Sequence, residues 1–281
     1  MKVPIRGSIL AAMAVLTLTG QFSKPSPREA PTAIGDLVAR IRTADYEGNR
    51  TALKALYADL EPYAAKGESV SRIRYWRGFA LWRRALNGFN ESAEASDLEQ
   101  DLKGCAMEFD QAAKADPNFV DAKAGAVSCL MNLAFLSASA NEVARQRELI
   151  SRAQVLVREA TNREPQNPRL LWVLGANYWH APPEFGGSQL KAMETYERGL
   201  KAVRAAKAPP DPLDPAWGEP ELLMNLSWSN LHRSTPDLAA AERYALEALR
   251  LVPNWHYVRD ILMPQIRAAC RGDCRAPDRR P

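Results

Sequence analysis

Histidine, cysteine and the familiar catalytic motifs are scarce or missing in this sequence of 281 residues. It has three histidines and four cysteines, and no two cysteines have the CxxC spacing of a zinc site. The motifs GxSxG and HExxH and the phosphate-binding glycine loop are also missing. The sequence therefore gives no support to a zinc protein, a common hydrolase or a P-loop protein. We expect no catalytic residues, no metal and no cofactor.

A large excess of one charge is missing as well. The chain has 37 Lys and Arg against 33 Asp and Glu, which gives a net charge of +4. Nucleic-acid-binding proteins concentrate basic residues on one face, so no nucleic-acid partner is predicted. A solvated basic tail is the simplest explanation for the arginines near the C-terminus: Arg267, Arg271, Arg275, Arg279 and Arg280.

The N-terminal apolar run, residues 9–18 (ILAAMAVLTL), is too short to cross a membrane. It has about ten residues, whereas a spanning helix needs about twenty. Lys2 and Arg6 precede it, which is typical of a secretory signal peptide. We predict a signal peptide over residues 1–20, an exported and most simply periplasmic protein, and no transmembrane segment after cleavage. Because Leu18 departs from the small-residue cleavage rule, a later cut or an uncleaved anchor stays open.

Export to an oxidising compartment would allow the four cysteines to form two disulfides. Three pairings are possible. We favour Cys105 with Cys129, because they would lie on facing helices, and Cys270 with Cys274. Residues four apart inside a regular helix bridge poorly, so the second pairing requires the last helix to end near Gly272.

The rest of the chain has the pattern of successive helices, with almost none of the alternation typical of strands. Apolar residues recur every three or four positions, as in Leu53, Leu56 and Leu60, and prolines mark helix ends. We predict a disordered lead-in over residues 21–31, a helical domain over 32–269 and a basic tail over 270–281. The predicted helices are 34–45, 50–64, 69–86, 96–115, 120–136, 141–162, 168–179, 188–205, 221–232, 236–252 and 255–269.

The helices come in pairs whose sequences resemble one another. LLWVLGANYWH, residues 170–180, aligns with LLMNLSWSNLH, residues 222–232, and Gly175 then falls on Ser227. The second helices each place a small residue shortly before a proline: Ala112, Ala160 and Ala248. A repeat of roughly 50 residues built from helix pairs is the signature of a solenoid.

The pairs resemble the tetratricopeptide repeat (TPR) family over residues 69–253. The pattern is carried best by Leu174, Gly175, Tyr178, Ala192 and Tyr196. The second-helix half recurs in Phe109, Ala112 and Pro117, and again in Ala241, Tyr244, Ala248 and Pro253. The period exceeds the family's, which is about 34 residues, so the chain is similar to divergent members. The resemblance implies an all-α, right-handed solenoid of stacked antiparallel helix pairs, closed by a C-terminal capping helix over residues 255–269.

In TPR proteins the first helix of each pair lines a concave face, so the resemblance also implies a binding groove. Its residues would be an aromatic floor and a basic end: Trp172, Trp179, His180, Trp228, His232, Arg74, Arg77 and Arg84. We expect this groove to bind a protein or peptide, as a scaffold or adaptor does. Two alternatives stay open: the tryptophans can be core residues, and the arginines can form a solvated face.

A second function is implied by a similarity to the TPR partners of tripartite (TRAP-type) uptake systems. Such a ligand-handling accessory would enclose a cavity lined by Trp172, Trp179 and Trp228. His180 and His232 occupy equivalent places in consecutive repeats, but a metal site would need a third ligand. We therefore interpret both histidines as structural, and we expect that the protein is not an enzyme.

Overall fold

The computed structural model of the protein describes residues 30–65, 67–209 and 211–270. The predicted signal peptide, most of the predicted lead-in, Cys274 and nearly all of the basic tail lie outside the described residues, so the Cys270–Cys274 pairing stays a prediction. The described residues form eleven α-helices and no strands, which confirms the all-helical prediction.

Most of the helices follow one another through short connections, and a longer one joins α8 to α9. They are α1 (Ala30–Tyr46), α2 (Arg50–Asp59), α3 (Val70–Asn90), α4 (Ala95–Ala115), α5 (Val120–Ser139), α6 (Val143–Arg163), α7 (Pro168–His180), α8 (Gln189–Ala205), α9 (Glu219–His232), α10 (Leu238–Leu251) and α11 (Met263–Cys270). Short 3₁₀ turns occupy Glu61–Tyr63 and Pro183–Phe185, and a π-helical stretch, Tyr257–Leu262, leads into α11.

Local chemistry explains where several helices begin. The side chain of Asn167 accepts hydrogen bonds from the amides of Arg169 and Leu170, and Pro168 occupies the first turn of α7, where its missing N–H costs nothing. Asp237 caps α10 in the same way, through the amide of Ala240. These residues set the N-terminal ends of α7 and α10.

Consecutive helices pack in pairs, α3 with α4, α5 with α6, α7 with α8 and α9 with α10. Small residues allow the close approach, as the repeat pattern predicts. A Cβ added to Gly175 would lie 2.2 Å from the ring of Tyr196 on the partner helix, and one added to Gly125 would lie 2.5 Å from the ring of Phe109. The alanines that precede the helix-ending prolines, Ala112, Ala160 and Ala248, are fully buried.

The predicted disulfide between Cys105 and Cys129 is confirmed. It joins α4 to α5, the second helix of one pair to the first helix of the next, and the two Cα atoms are 6.4 Å apart. Both cysteines are fully buried. The bond is compatible with an oxidising compartment and hence with export.

The N-terminal helix folds onto the C-terminal end of the array. The ring of Tyr46, at the end of α1, packs edge-on against Trp255 with 5.1 Å between centroids. Asn254 donates a hydrogen bond to Glu47. The two ends of the described chain therefore meet instead of leaving a fully open superhelix.

Among the described helices, α5 alone is long and apolar enough to cross a membrane on length and composition. More than half of that stretch, 56%, is buried inside the fold. Packing against α4, α6 and α7 accounts for its apolar character.

Candidate functional site

The part of the predicted concave face around Trp172 is filled by the protein's own aromatic side chains. Trp172 of α7 lies edge-on to Trp82 of α3, with 5.5 Å between centroids, and to Trp217, at 5.7 Å. Trp82 and Trp217 also contact each other at 5.8 Å. Trp172 is only 6% exposed, and the other two are more deeply buried. The structure thus places Trp172 in the core, where it does not line an open groove.

Trp217 belongs to a non-helical stretch between α8 and α9, residues 211–217, which we call the crossing segment. Its buried side chains alternate, Leu213, Pro215 and Trp217, with more exposed residues between them. The indole N–H of Trp76 donates to the carbonyl of Leu213 at 2.8 Å. The indole N–H of Trp217 donates to the hydroxyl of Tyr75 at 2.7 Å. The crossing segment therefore covers the inner face of α3.

The predicted basic end of the groove is also occupied from within. Arg77 is only 2% exposed, and it donates to Glu108 at 2.9 Å and to the carbonyl of Tyr57 at 2.8 Å. Arg74 donates to the second oxygen of Glu108, also at 2.9 Å. Arg84, which is partly buried, pairs with both carboxylate oxygens of Asp101. All three arginines are thus paired with internal carboxylates, and the structure places neither a solvated face nor an unpaired basic groove there.

A buried polar network, which sequence reasoning missed, connects α1, α3 and α9. Arg83 donates to Asp45 at 2.7 Å, and the hydroxyl of Tyr46 donates to Glu221 at 2.8 Å. Burial raises the pKa of the Glu221 carboxyl, and the nearby Arg83 guanidinium opposes that rise. Burial also raises the pKa of the Tyr46 hydroxyl. This network therefore joins α1 to α3 and to α9 through buried polar contacts.

Another part of the inner face remains accessible, towards the C-terminal ends of the first helices. Trp179 of α7 lies edge-on to Trp228 of α9, with 5.2 Å between centroids, and both are partly exposed. His232 stacks on Trp228 at 4.3 Å, and His180 lies 6.1 Å from the same ring. Partial burial lowers the pKa of His180, so its imidazole is neutral at pH 7. Four of the predicted site residues are therefore brought together here.

Helix α5 extends the accessible surface with large apolar side chains. Phe135 is 61% exposed and contacts Phe89 of α3 with 6.2 Å between centroids. On α5, Phe135 lies about two turns beyond Ser128, and Ser128 accepts a hydrogen bond from the buried Trp82. On α7, Trp179 likewise lies about two turns beyond the buried Trp172. Both residues therefore continue the faces that carry the buried cluster. We call two neighbouring groups of side chains together the open aromatic face: Phe89, Met131 and Phe135 of α3 and α5, and Trp179, His180, Trp228, Leu231 and His232 of α7 and α9.

Ionisable clusters of the kind that hold metals are not found in the described part of the chain. No group of three or more His, Cys, Asp and Glu side chains there is arranged to hold a metal ion. The third histidine, His256, lies 2.9 Å from Asp260 on the C-terminal stretch and contacts Gly48, so it does not join the other two.

Comparison with models of known protein families gives no match. Comparison with curated proteins gives none either. Function is therefore inferred from this chain's own side chains and their arrangement.

Proposed function

We propose that this protein is an exported, TPR-like adaptor that binds an apolar segment of another exported protein on its open aromatic face. The helix pairs would form a right-handed solenoid in the periplasm, and the protein would act by binding and not by catalysis. Its open aromatic face replaces the full-length groove that the sequence suggested.

The observation that carries this proposal is a set of large aromatic side chains on three first helices, of which Phe135 is exposed and Trp179 and Trp228 are partly exposed. Large apolar patches on the surface of monomeric proteins often mark sites of protein interaction, and aromatic residues dominate the energetics of protein interfaces. Phe135, Trp179 and Trp228 supply such surface from α5, α7 and α9 respectively. Trp228 is held in place by Trp179 and His232, so the face is organised before a partner arrives.

The form of the surface favours a protein segment over a small molecule. Sites for small molecules are concave and enclose most of their ligand. A ligand-handling accessory would require Trp172 in the wall of a cavity. Here Trp172 is packed between Trp82 and Trp217. A band of apolar side chains across several helices is the geometry that a helix or an extended chain can cover.

The experiment compares proteins captured by the signal-free chain with those captured by two variants. The test variant is Trp179→Ala/Trp228→Ala, and the matched control is Val155→Ala/Leu246→Ala, which removes exposed apolar side chains from the second helices α6 and α10. We expect one or more exported proteins to bind both the parent and the control. The amount of these proteins captured by the test variant should be at least about 10-fold lower, because an aromatic side chain at the centre of an interface often contributes about 2 kcal/mol or more to the binding free energy.

Circular dichroism establishes that each variant is folded before capture is compared. Equal capture by the parent and the test variant would contradict the proposal, as would capture that the control loses to the same extent.

A further inference from the structure

The crossing segment is held against the rest of the protein as a bound peptide would be. It has no helix or strand of its own, and its contacts reach residues more than a hundred positions away in sequence. Leu213, Pro215 and Trp217 enter the interior at alternate positions, while Ala216 is exposed. Alternate side chains in separate pockets, with polar contacts to the main chain between them, are how grooves recognise non-helical peptides.

Side chains of α3 and α7 donate hydrogen bonds to the crossing segment at several points. Arg72 donates to the carboxylate of Asp214 at 2.8 Å, and Trp76 donates to the carbonyl of Leu213 at the same distance. Arg169 donates to the carbonyl of Trp217 at 3.4 Å. The contact with Arg72 specifies an acidic residue at position 214, while burial of Leu213 and the indole contacts of Trp217 with Tyr75, Trp82 and Trp172 favour an apolar residue before it and a tryptophan three positions after it.

The segment is also organised by its own sequence. The carboxylate of Asp211 accepts a hydrogen bond from the amide of Leu213, and the carbonyl of Asp211 accepts one from the amide of Asp214, which makes a turn. Pro212 and Pro215 fix two backbone dihedrals. A chain that holds its bound shape before binding loses little entropy on docking, so the same residues suit binding as a separate peptide.

A cleft runs along one side of the segment. Its volume is about 270 Å³, and its walls include Arg72, Phe119, Arg169, Asp214 and Pro215. At Asp214 and Pro215 the segment therefore borders an open cleft, while Leu213 and Trp217 stay buried.

We propose that the inner face of α3 and α7 is a second peptide-binding site, specific for a short segment of the pattern apolar–acidic–proline–any residue–tryptophan, and that the crossing segment is its resident, releasable ligand. A partner protein with this pattern would displace the crossing segment. The site uses residues other than those of the open aromatic face, so it stands whether or not that face binds a partner.

The first test supplies the segment as a separate peptide. In one variant residues 211–217 are replaced by a glycine–serine linker of equal length, and a labelled peptide DPLDPAW is titrated in by fluorescence anisotropy. We expect the peptide to bind this variant tightly and the parent much more weakly, because in the parent it must compete with the resident crossing segment. A peptide with alanine in place of its tryptophan should bind at least about 100-fold more weakly, because burial of an indole side chain is lost. Trp179→Ala/Trp228→Ala in the same background should leave this affinity unchanged, which separates this site from the open aromatic face.

If the linker variant does not fold, a second measurement on the parent protein tests whether the crossing segment is released from its site. Exchange of indole N–H protons with deuterium is followed by NMR at Trp217, which donates from the docked segment to Tyr75, and at Trp76, which donates to the segment. Trp82, which donates to Ser128, serves as the internal control. A releasable segment predicts exchange at Trp217 and Trp76 at least about 100-fold faster than at Trp82, because local opening needs less free energy than global unfolding. Exchange of all three at the global rate, or a folded linker variant that does not bind the peptide at about 1 mM, would overturn the proposal.

Discussion

Gly175 of α7 lies so close to the ring of Tyr196 on α8 that a Cβ built on the glycine would be 2.2 Å from Cε1 of that ring. Tyr196 is itself buried, so its ring has little room to move away. An earlier pair repeats the arrangement with Phe109, whose ring lies against both Gly78 and Gly125. A glycine on a first helix and an aromatic on the following helix thus form the close contact in the pairs α3–α4 and α7–α8.

Substitution of this glycine should destabilise the protein. We expect Gly175→Ala to lower the free energy of unfolding by about 1–3 kcal/mol, because the added methyl group overpacks the interface between α7 and α8. Gly35→Ala is the matched control, since a Cβ at that helical position meets nothing within 4 Å. The control should be neutral or more stable by up to about 1 kcal/mol, because alanine favours helix more than glycine does. Urea unfolding of both variants gives the comparison, and equal effects would contradict this packing account.

Loss of the disulfide should also reduce stability. Cys105 and Cys129 are separated by 24 positions, and closing a loop of that length restricts the unfolded chain. Cys105→Ala/Cys129→Ala should therefore lower the free energy of unfolding by about 3 kcal/mol. The parent in reducing buffer should move towards the same value in denaturant titrations. No change in either measurement would show that the bond does not form in the mature protein.

The buried arginines are expected to contribute to stability instead of partner binding. Glu108→Ala leaves the buried guanidinium of Arg77 without its main acidic partner, and we expect a loss of about 3–5 kcal/mol. Lys103→Ala removes an exposed pair with Glu99 and should change stability by less than about 1 kcal/mol. Thermal unfolding monitored by circular dichroism distinguishes the two. A Glu108→Ala protein as stable as the parent would mean that Arg77 is not held as the structure shows.

Glu221 predicts a specific dependence of stability on pH. Because burial raises the pKa of its carboxyl in the folded protein, protonation favours the folded state. Its contribution is complete below the unfolded pKa of about 4.3, and it is lost as the pH rises through the higher folded value. A glutamine at position 221 cannot titrate. The free energy of unfolding of the parent should therefore fall relative to that of Glu221→Gln as the pH rises from 4.5 through 6 to 7.5. A difference that is constant with pH, or that changes in the opposite direction, would contradict the prediction. Exposed Glu184→Gln is the control.

The helices and their close contacts could be predicted from the sequence because their signals are local. Periodic apolar residues and prolines indicated the helix bounds, and small residues at repeat positions indicated where helices approach. The Cys105–Cys129 pairing followed from those bounds. Helix α3 continues one turn beyond its predicted end at Leu86, because Asn87 bonds to Asp45 and Phe89 packs on Phe135. Neither partner is visible in the local sequence.

The filling of the inner face could not be predicted, because it depends on contacts between distant parts of the chain. The proline-rich stretch between α8 and α9 has no helical periodicity, so its pattern predicts a connection between helices and not a part of the core. The one available signal was the alternation of Leu213, Pro215 and Trp217, which indicates a chain with one buried side. In the same way, Arg77 looks solvent-facing until Glu108, on the next helix, is seen to face it.

The most direct test of the proposed adaptor function is site-specific photo-crosslinking in the exporting cell. A photoreactive phenylalanine analogue is placed at Phe135, on the open aromatic face, or at Val155, an exposed apolar position on α6. We expect discrete crosslinks to another protein from position 135 that disappear when Trp179→Ala/Trp228→Ala is added, and none of those products from position 155. The same crosslinks from both positions, or none from position 135 in a folded and exported protein, would contradict the account.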